Sequence, residues 1–150
     1  MQPLQVSKIF QNYAMMLNNK KFSDSVLICS DGKKIDVNKN VISAQCPRFA
    51  ATVAAMNKNK ASHAKFDDID FKTMLKLLRF IYSGQITNIE EVDLELLIAA
   101  NRFGVDDLKD MCVSSLMETF PKKSFAKVLK IADELKIQDL KENIIDYIKW

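Results

Sequence analysis

One hairpin constrains this chain more than any other feature. Phe22-Ser23-Asp24-Ser25-Val26-Leu27-Ile28-Cys29 reads as a strand, Ser30-Asp31-Gly32-Lys33 as a tight turn, and Ile35-Asp36-Val37 as a second strand running into a helix from about Val41. Asp-Gly suits the turn, because a tight hairpin needs positive φ, which Gly adopts freely and Asp tolerates. Val26 and Ile28 point to one side of the first strand, Leu27 and Cys29 to the other. A lone hairpin buries too little surface to stand alone. Gly and Pro number only three each, so the remainder must cover the hairpin with helices joined by short turns. The expectation is an α+β fold, a small β-sheet surrounded by α-helical hairpins.

Residues 4–18 carry Val6, Ile9, Phe10, Tyr13, Met16 and Leu17 at helical spacing. This helix precedes the hairpin, so the sheet does not require it. Its broad apolar stripe needs a partner surface, either this domain or a second copy. Pro47 marks the first turn of another helix, where a missing N–H is harmless, with Phe49, Val53 and Met56 on the apolar side. Residues 57–63 read as a polar loop, and Ala64-Lys65-Phe66 as a short third strand. Asp70 is the expected N-cap of a helix from Phe71 to Tyr82, with Met74, Leu75, Leu78 and Ile81 inward and Ser83-Gly84 as its stop. Thr87-Asn88-Ile89-Glu90 fits a capping box for the next helix.

An internal repeat follows. Ala100-Asn101-Arg102-Phe103-Gly104-Val105-Asp106-Asp107-Leu108-Lys109 matches Ala132-Asp133-Glu134-Leu135-Lys136-Ile137-Gln138-Asp139-Leu140-Lys141 at an offset of 32. Cys112, Val113 and Leu116 then match Ile144, Ile145 and Ile148. Each unit reads as helix, short turn, helix, and Pro121 separates the two. Stacked helical hairpins explain such a period. Two units are too few for a free solenoid, so they must lean on the preceding domain.

The same residues argue against chemistry. His63 is the only histidine and sits beside Ser62 in polar sequence; a nucleophilic pair would need a third orienting group and a pocket. One His and scattered Cys offer no metal-ligand spacing. Asp67, Asp68 and Asp70 lack the Gly and distal Glu of a Ca²⁺ loop and read as turn and cap residues. Gly32, Gly84 and Gly104 build no phosphate loop. The chain is therefore expected not to be an enzyme and to need no cofactor. The net charge of +3 is spread along the chain. Its densest basic patch, around Lys58, Lys60 and Lys65, has no basic helix or aromatic platform beside it, which argues against nucleic acid. No apolar run is long enough to span a bilayer and no secretory segment opens the chain. Cys29, Cys46 and Cys112 have no paired spacing and fit a reducing compartment, so an intracellular location, nuclear or cytoplasmic, is expected. Of seven methionines, Met74 and Met111 read as core, while Met16 and Met56 fit core or interface equally.

What remains is apolar surface arranged for contact, and here the chain resembles a BTB/POZ domain of the kind found in MATH-BTB (speckle-type POZ protein-like) proteins. The resemblance covers residues 9–150. It rests on Phe22-Ser23-Asp24, on Ile35-Asp36-Val37-Asn38-Lys39-Asn40-Val41-Ile42-Ser43-Ala44, and on Cys46-Pro47-Arg48-Phe49. It continues with Phe80-Ile81-Tyr82-Ser83-Gly84, with Leu97-Ile98-Ala99-Ala100-Asn101-Arg102-Phe103-Gly104, and with Leu108-Lys109-Asp110-Met111-Cys112. Order and spacing together make these short pieces specific.

The resemblance implies a BTB/POZ domain over residues 1–120 with an N-terminal dimerisation helix, and a C-terminal helical pair over 121–150 like those that enlarge the cullin groove of adaptors. It implies a homodimer face at Ile9, Tyr13, Met16 and Val41. It also implies that the chain is the part of a ubiquitin-ligase substrate adaptor that binds the N-terminal domain of cullin-3, with Met56, Lys58 and Tyr82 as candidate contacts. Substrate would be recruited by a domain absent from this chain. The alternative is a BTB oligomerisation module of a transcriptional or cytoskeletal scaffold, without cullin binding. Three positions depart from the family: Asn38 stands where His is usual, Cys46 where Ser is common, and Met56-Asn57-Lys58 where cullin binders carry a hydrophobic residue, any residue, then Glu. At that last site Lys58 brings the opposite charge.

Overall fold

The strand β1 (Ser25–Ile28) is the middle of a three-stranded sheet, flanked by β2 (Lys34–Val37) and β3 (His63–Lys65). The computed structural model describes residues 3–56, 63–86, 92–119 and 125–149. By its contacts the chain forms two units, Met1–Thr87 and Asn88–Trp150.

In the first unit β1 runs antiparallel to β2, with Leu27 opposite Ile35, and parallel to β3, with Leu27 opposite Ala64. All three of these side chains are wholly buried. The hairpin turn differs in detail from the expectation. Cys29 N–H donates to the Lys33 carbonyl at 2.8 Å, and Gly32 N–H donates to the Cys29 carbonyl at 2.9 Å. The loop therefore has three residues, with Gly32 (φ +81°) alone in the left-handed region. That is a turn followed by a left-handed glycine, the arrangement three-residue hairpins favour.

The helix α1 (Pro3–Ala14) precedes the sheet; α2 (Lys39–Gln45) and α3 (Pro47–Met56) connect β2 to β3. The start of α2 falls two residues before Val41, because a distant side chain caps it: Asp24 Oδ1 accepts from Lys39 N–H at 2.8 Å. Phe49 of α3 meets Phe66 edge-to-face, with ring centroids 5.8 Å apart, a favoured aromatic geometry. His63 opens β3 instead of lying in the loop.

The helix α4 (Phe71–Ser83) follows. Asp70 caps it as expected, accepting from Thr73 N–H at 2.8 Å. That amide holds the Asp70 carboxyl below its ordinary range, with the Thr73 side chain and Lys72 and Lys76 contributing. Gly84 closes the helix at φ +71°, its N–H on the Phe80 carbonyl. Met74, Leu77 and Leu78 are fully buried, and α4 supports α1, α2 and β2.

The second unit holds α5 (Leu94–Phe103), α6 (Asp106–Thr119), α7 (Phe125–Glu134) and α8 (Gln138–Lys149). The cap of α5 is Asp93, which accepts from Leu96 N–H at 2.9 Å; the Thr87–Glu90 box is a separate expectation. The box itself lies outside the described residues. The repeat is real in three dimensions. Each half is a hairpin, α5 with α6 and α7 with α8, and the halves stack α5 on α7 and α6 on α8. Leu108, Cys112, Leu140 and Ile144, equivalent in pairs, are all wholly buried. Met111, in contrast to its expected place in the core, is exposed, because the inward stripe of α6 runs through Leu108, Cys112, Ser115 and Leu116.

Candidate protein-interaction site

The helix α1 carries two apolar stripes. Phe10, Ala14 and Leu17 recur every three to four residues and are half-buried. Ala14 and Leu17, with Asn18, line an open groove of about 320 Å³ against Leu75, Arg79 and Ser83 of α4. Ile9 and Tyr13 form the other stripe, one turn apart, and they are 53% and 52% exposed. Met16, on the turn that follows α1, is half-buried. No side chain of residues 8–14 is buried. Over residues 8–14 the helix thus leaves in water much of the apolar area that would stabilise it. Val41 is half-buried on α2, which α4 supports as it supports α1.

The connection from α1 to β1 is held by polar contacts. Asn18 is left-handed at φ +57°, a conformation Asn tolerates better than most residues. Its N–H donates to the Asp36 carbonyl at 2.9 Å, and its Oδ1 accepts from Asp36 N–H at 2.9 Å. Four residues on, the Phe22 carbonyl accepts from Asn38 Nδ2 at 3.0 Å. The sequence reads Phe22 as the opening of the strand, yet β1 starts at Ser25 and Phe22 stands 77% exposed. The Lys21 ammonium lies 5.4 Å from the centre of its ring. The only sequence signal for this exposure is the place of Phe22 ahead of the alternating stretch.

Asn38 is buried and fully engaged. Its N–H donates to the Tyr82 hydroxyl at 2.8 Å, and that hydroxyl donates back to Asn38 Oδ1 at 2.9 Å. Asn38 precedes α2 but its side chain makes no cap bond; Asp24 does that work. Tyr82, a candidate cullin contact by resemblance, is 5% exposed and its hydroxyl is committed inside the fold. Burial pushes its pKa up to about 12, the Asp24 charge adding to the effect and the Asn38 amide opposing it. Met56 ends α3 and is 38% exposed. Lys58 lies outside the described residues.

Nothing catalytic is assembled among the described residues. His63 is exposed at the start of β3, and Cys29, Cys46 and Cys112 are buried and joined in no disulfide. Burial, with Asp31 and Asp70 nearby, raises the Cys29 pKa to about 11, which suppresses the reactive thiolate. No group of three or more His, Cys, Asp or Glu among the described residues can hold a metal ion. No described helix is long and apolar enough to cross a membrane.

A family model described as BTB/POZ domain matches residues 13–120. Among solved structures, the chain is similar to the BTB (Tramtrack and Bric a brac) domain of human gigaxonin. The identity is 26% and the TM-score 0.57, over 76% of this chain and 92% of that one. The small sheet surrounded by helices is thus the α+β fold of such domains. The family match begins within α1 and stops short of α7 and α8.

Proposed function

This chain belongs to the BTB/POZ family of protein-interaction modules, and from that premise we propose that it pairs with a second copy of itself through the outward stripe of α1. The observation that carries this reading is a helix with Ile9 and Tyr13 half exposed and no buried side chain among residues 8–14. A twofold contact would cover that stripe with its own equivalent, with Met16 and Val41 at its margin. Each large apolar side chain buried there contributes about 1.5–3 kcal/mol. The experiment is sedimentation of the chain beside Ile9→Asp with Met16→Asp. A dimer converted to a monomer supports the reading. A dimer that survives both charges places the contact elsewhere, and a wild-type monomer removes it.

A second reading is the adaptor one, in the manner of MATH-BTB proteins: a grip on the N-terminal domain of cullin-3, with substrate brought by a domain outside this chain. Exposed Met56 at the end of α3, and the α7–α8 hairpin beyond the family match, favour it. In this reading Tyr82 supports the fold from within and touches no partner. Calorimetric titration with the N-terminal domain of cullin-3 tests it, and silence at tens of micromolar leaves the non-cullin scaffold as the role. Lys58→Glu should tighten any binding, by removing a like-charge clash or an unpaired cation.

A further inference from the structure

Resting on the self-association reading, we infer that Asn18 is the positioning residue that sets α1 in its pairing geometry. None of residues 8–14 is buried, and where the chain leaves the helix, Ala14 and Leu17 border an open groove beside α4. What fixes its C-terminal end is directional. Asn18 engages both backbone groups of Asp36, accepting from its N–H and donating to its carbonyl, each at 2.9 Å. One residue thereby imitates a strand pairing on β2, an outer strand of the sheet. This couples the exit of α1 to the sheet, and it covers the edge of β2 at that point.

The geometry explains why this position carries Asn. The backbone must be left-handed, which Gly and Asn tolerate, and the side chain must present an acceptor to an amide, which Gly cannot. Asn18→Gly keeps the first property and removes the second. Asn18→Asp keeps both and serves as the conservative rescue.

The test reads three quantities on the full chain: the dimer dissociation constant by sedimentation, hydrogen exchange of the α1 amides, and exchange of the β1 amides as a control. For Asn18→Gly the loss of one hydrogen bond predicts about fivefold to tenfold faster exchange in α1 and a similar rise in the dissociation constant. Amides of β1 should be unchanged, and Asn18→Asp should restore both values. Unchanged α1 exchange overturns the inference, whatever the oligomeric state. So does faster α1 exchange with an unchanged dissociation constant, and so does an equal loss of protection in β1, which marks a merely structural residue. A dimer resistant to Ile9→Asp with Met16→Asp fails the self-association reading separately, since the exchange arm still judges the clamp.

Discussion

Tyr82 and Asn38, 44 residues apart, satisfy each other twice: the Tyr82 hydroxyl accepts from the Asn38 amide and donates to the Asn38 side-chain oxygen. The remaining Asn38 donor then holds the Phe22 carbonyl. A core helix, a helix entry and the approach to β1 are joined through one buried amide side chain.

Removing the hydroxyl with Tyr82→Phe leaves a buried N–H and a buried carbonyl oxygen without partners. Unmet groups of that kind cost about 1–3 kcal/mol. Urea unfolding of Tyr82→Phe should therefore show a lower midpoint at unchanged slope. A midpoint equal to that of the parent would mean that water reaches the pair. Because Tyr82 is 5% exposed, the same variant should leave any partner affinity unaltered once the protein is folded.

Gly104 and Lys136 occupy equivalent places in the repeat, and both are left-handed, at φ +70° and +58°. The hydrogen bonds around them coincide as well. Val105 N–H donates to the Ala100 carbonyl at 2.9 Å, and Ile137 N–H to the Ala132 carbonyl at 2.8 Å. A left-handed residue with a Cβ costs about 1–2 kcal/mol, partly offset by the freedom Gly gains in the unfolded chain. Lys136→Gly should raise stability by about 0.5–1 kcal/mol, and Gly104→Lys should lower it by about as much. Thermal unfolding of the pair reads the opposite signs directly; a loss in Lys136→Gly would deny the shared geometry.

Elements whose signals are local were legible in the sequence. The hairpin, the Asp70 cap and the Gly84 stop each depend on residues within a turn of one another. The repeat showed through because equal packing keeps equal residues in place. Contacts that cross the fold left no local trace. Asp24 caps α2 from 15 residues away, so the start of that helix was misplaced. The apolar stripe on α1 was plain, but its division into a face on α4 and a face on water required coordinates. Tyr82 illustrates the limit best: its position along the chain says nothing of whether its hydroxyl meets a partner protein or Asn38.

Alkaline stability carries a signature of Cys29. Its pKa rises from 9.0 to about 11 on folding, because burial and two nearby carboxylates disfavour the thiolate. A raised folded value means that its contribution is complete below the unfolded value and is lost as pH climbs toward the folded one. Folding free energy should hence fall between about pH 9 and 11 more steeply in the parent than in Cys29→Ala. Urea midpoints taken across that window test this. Parallel curves would exclude Cys29 as the source. Tyr82, raised to about 12, adds the same sign at higher pH.

Asp24 offers a cleaner separation of charge from hydrogen bonding. Its Oδ1 takes the Lys39 N–H at the first turn of α2, one of the amides a helix start leaves without an internal partner. Losing such a cap costs about 0.5–2 kcal/mol. Asp24→Ala should fall in that range, and hydrogen exchange at the Lys39 amide should quicken. Asp24→Asn keeps an oxygen at the same place and loses only the charge, whose attraction to a helix N-terminus is worth about 0.3–1 kcal/mol. The asparagine variant should accordingly sit between parent and alanine, with Lys39 still protected. An asparagine variant as unstable as alanine, with rapid exchange at Lys39, would show that charge alone orders the entry of α2 and that the 2.8 Å contact contributes nothing of its own.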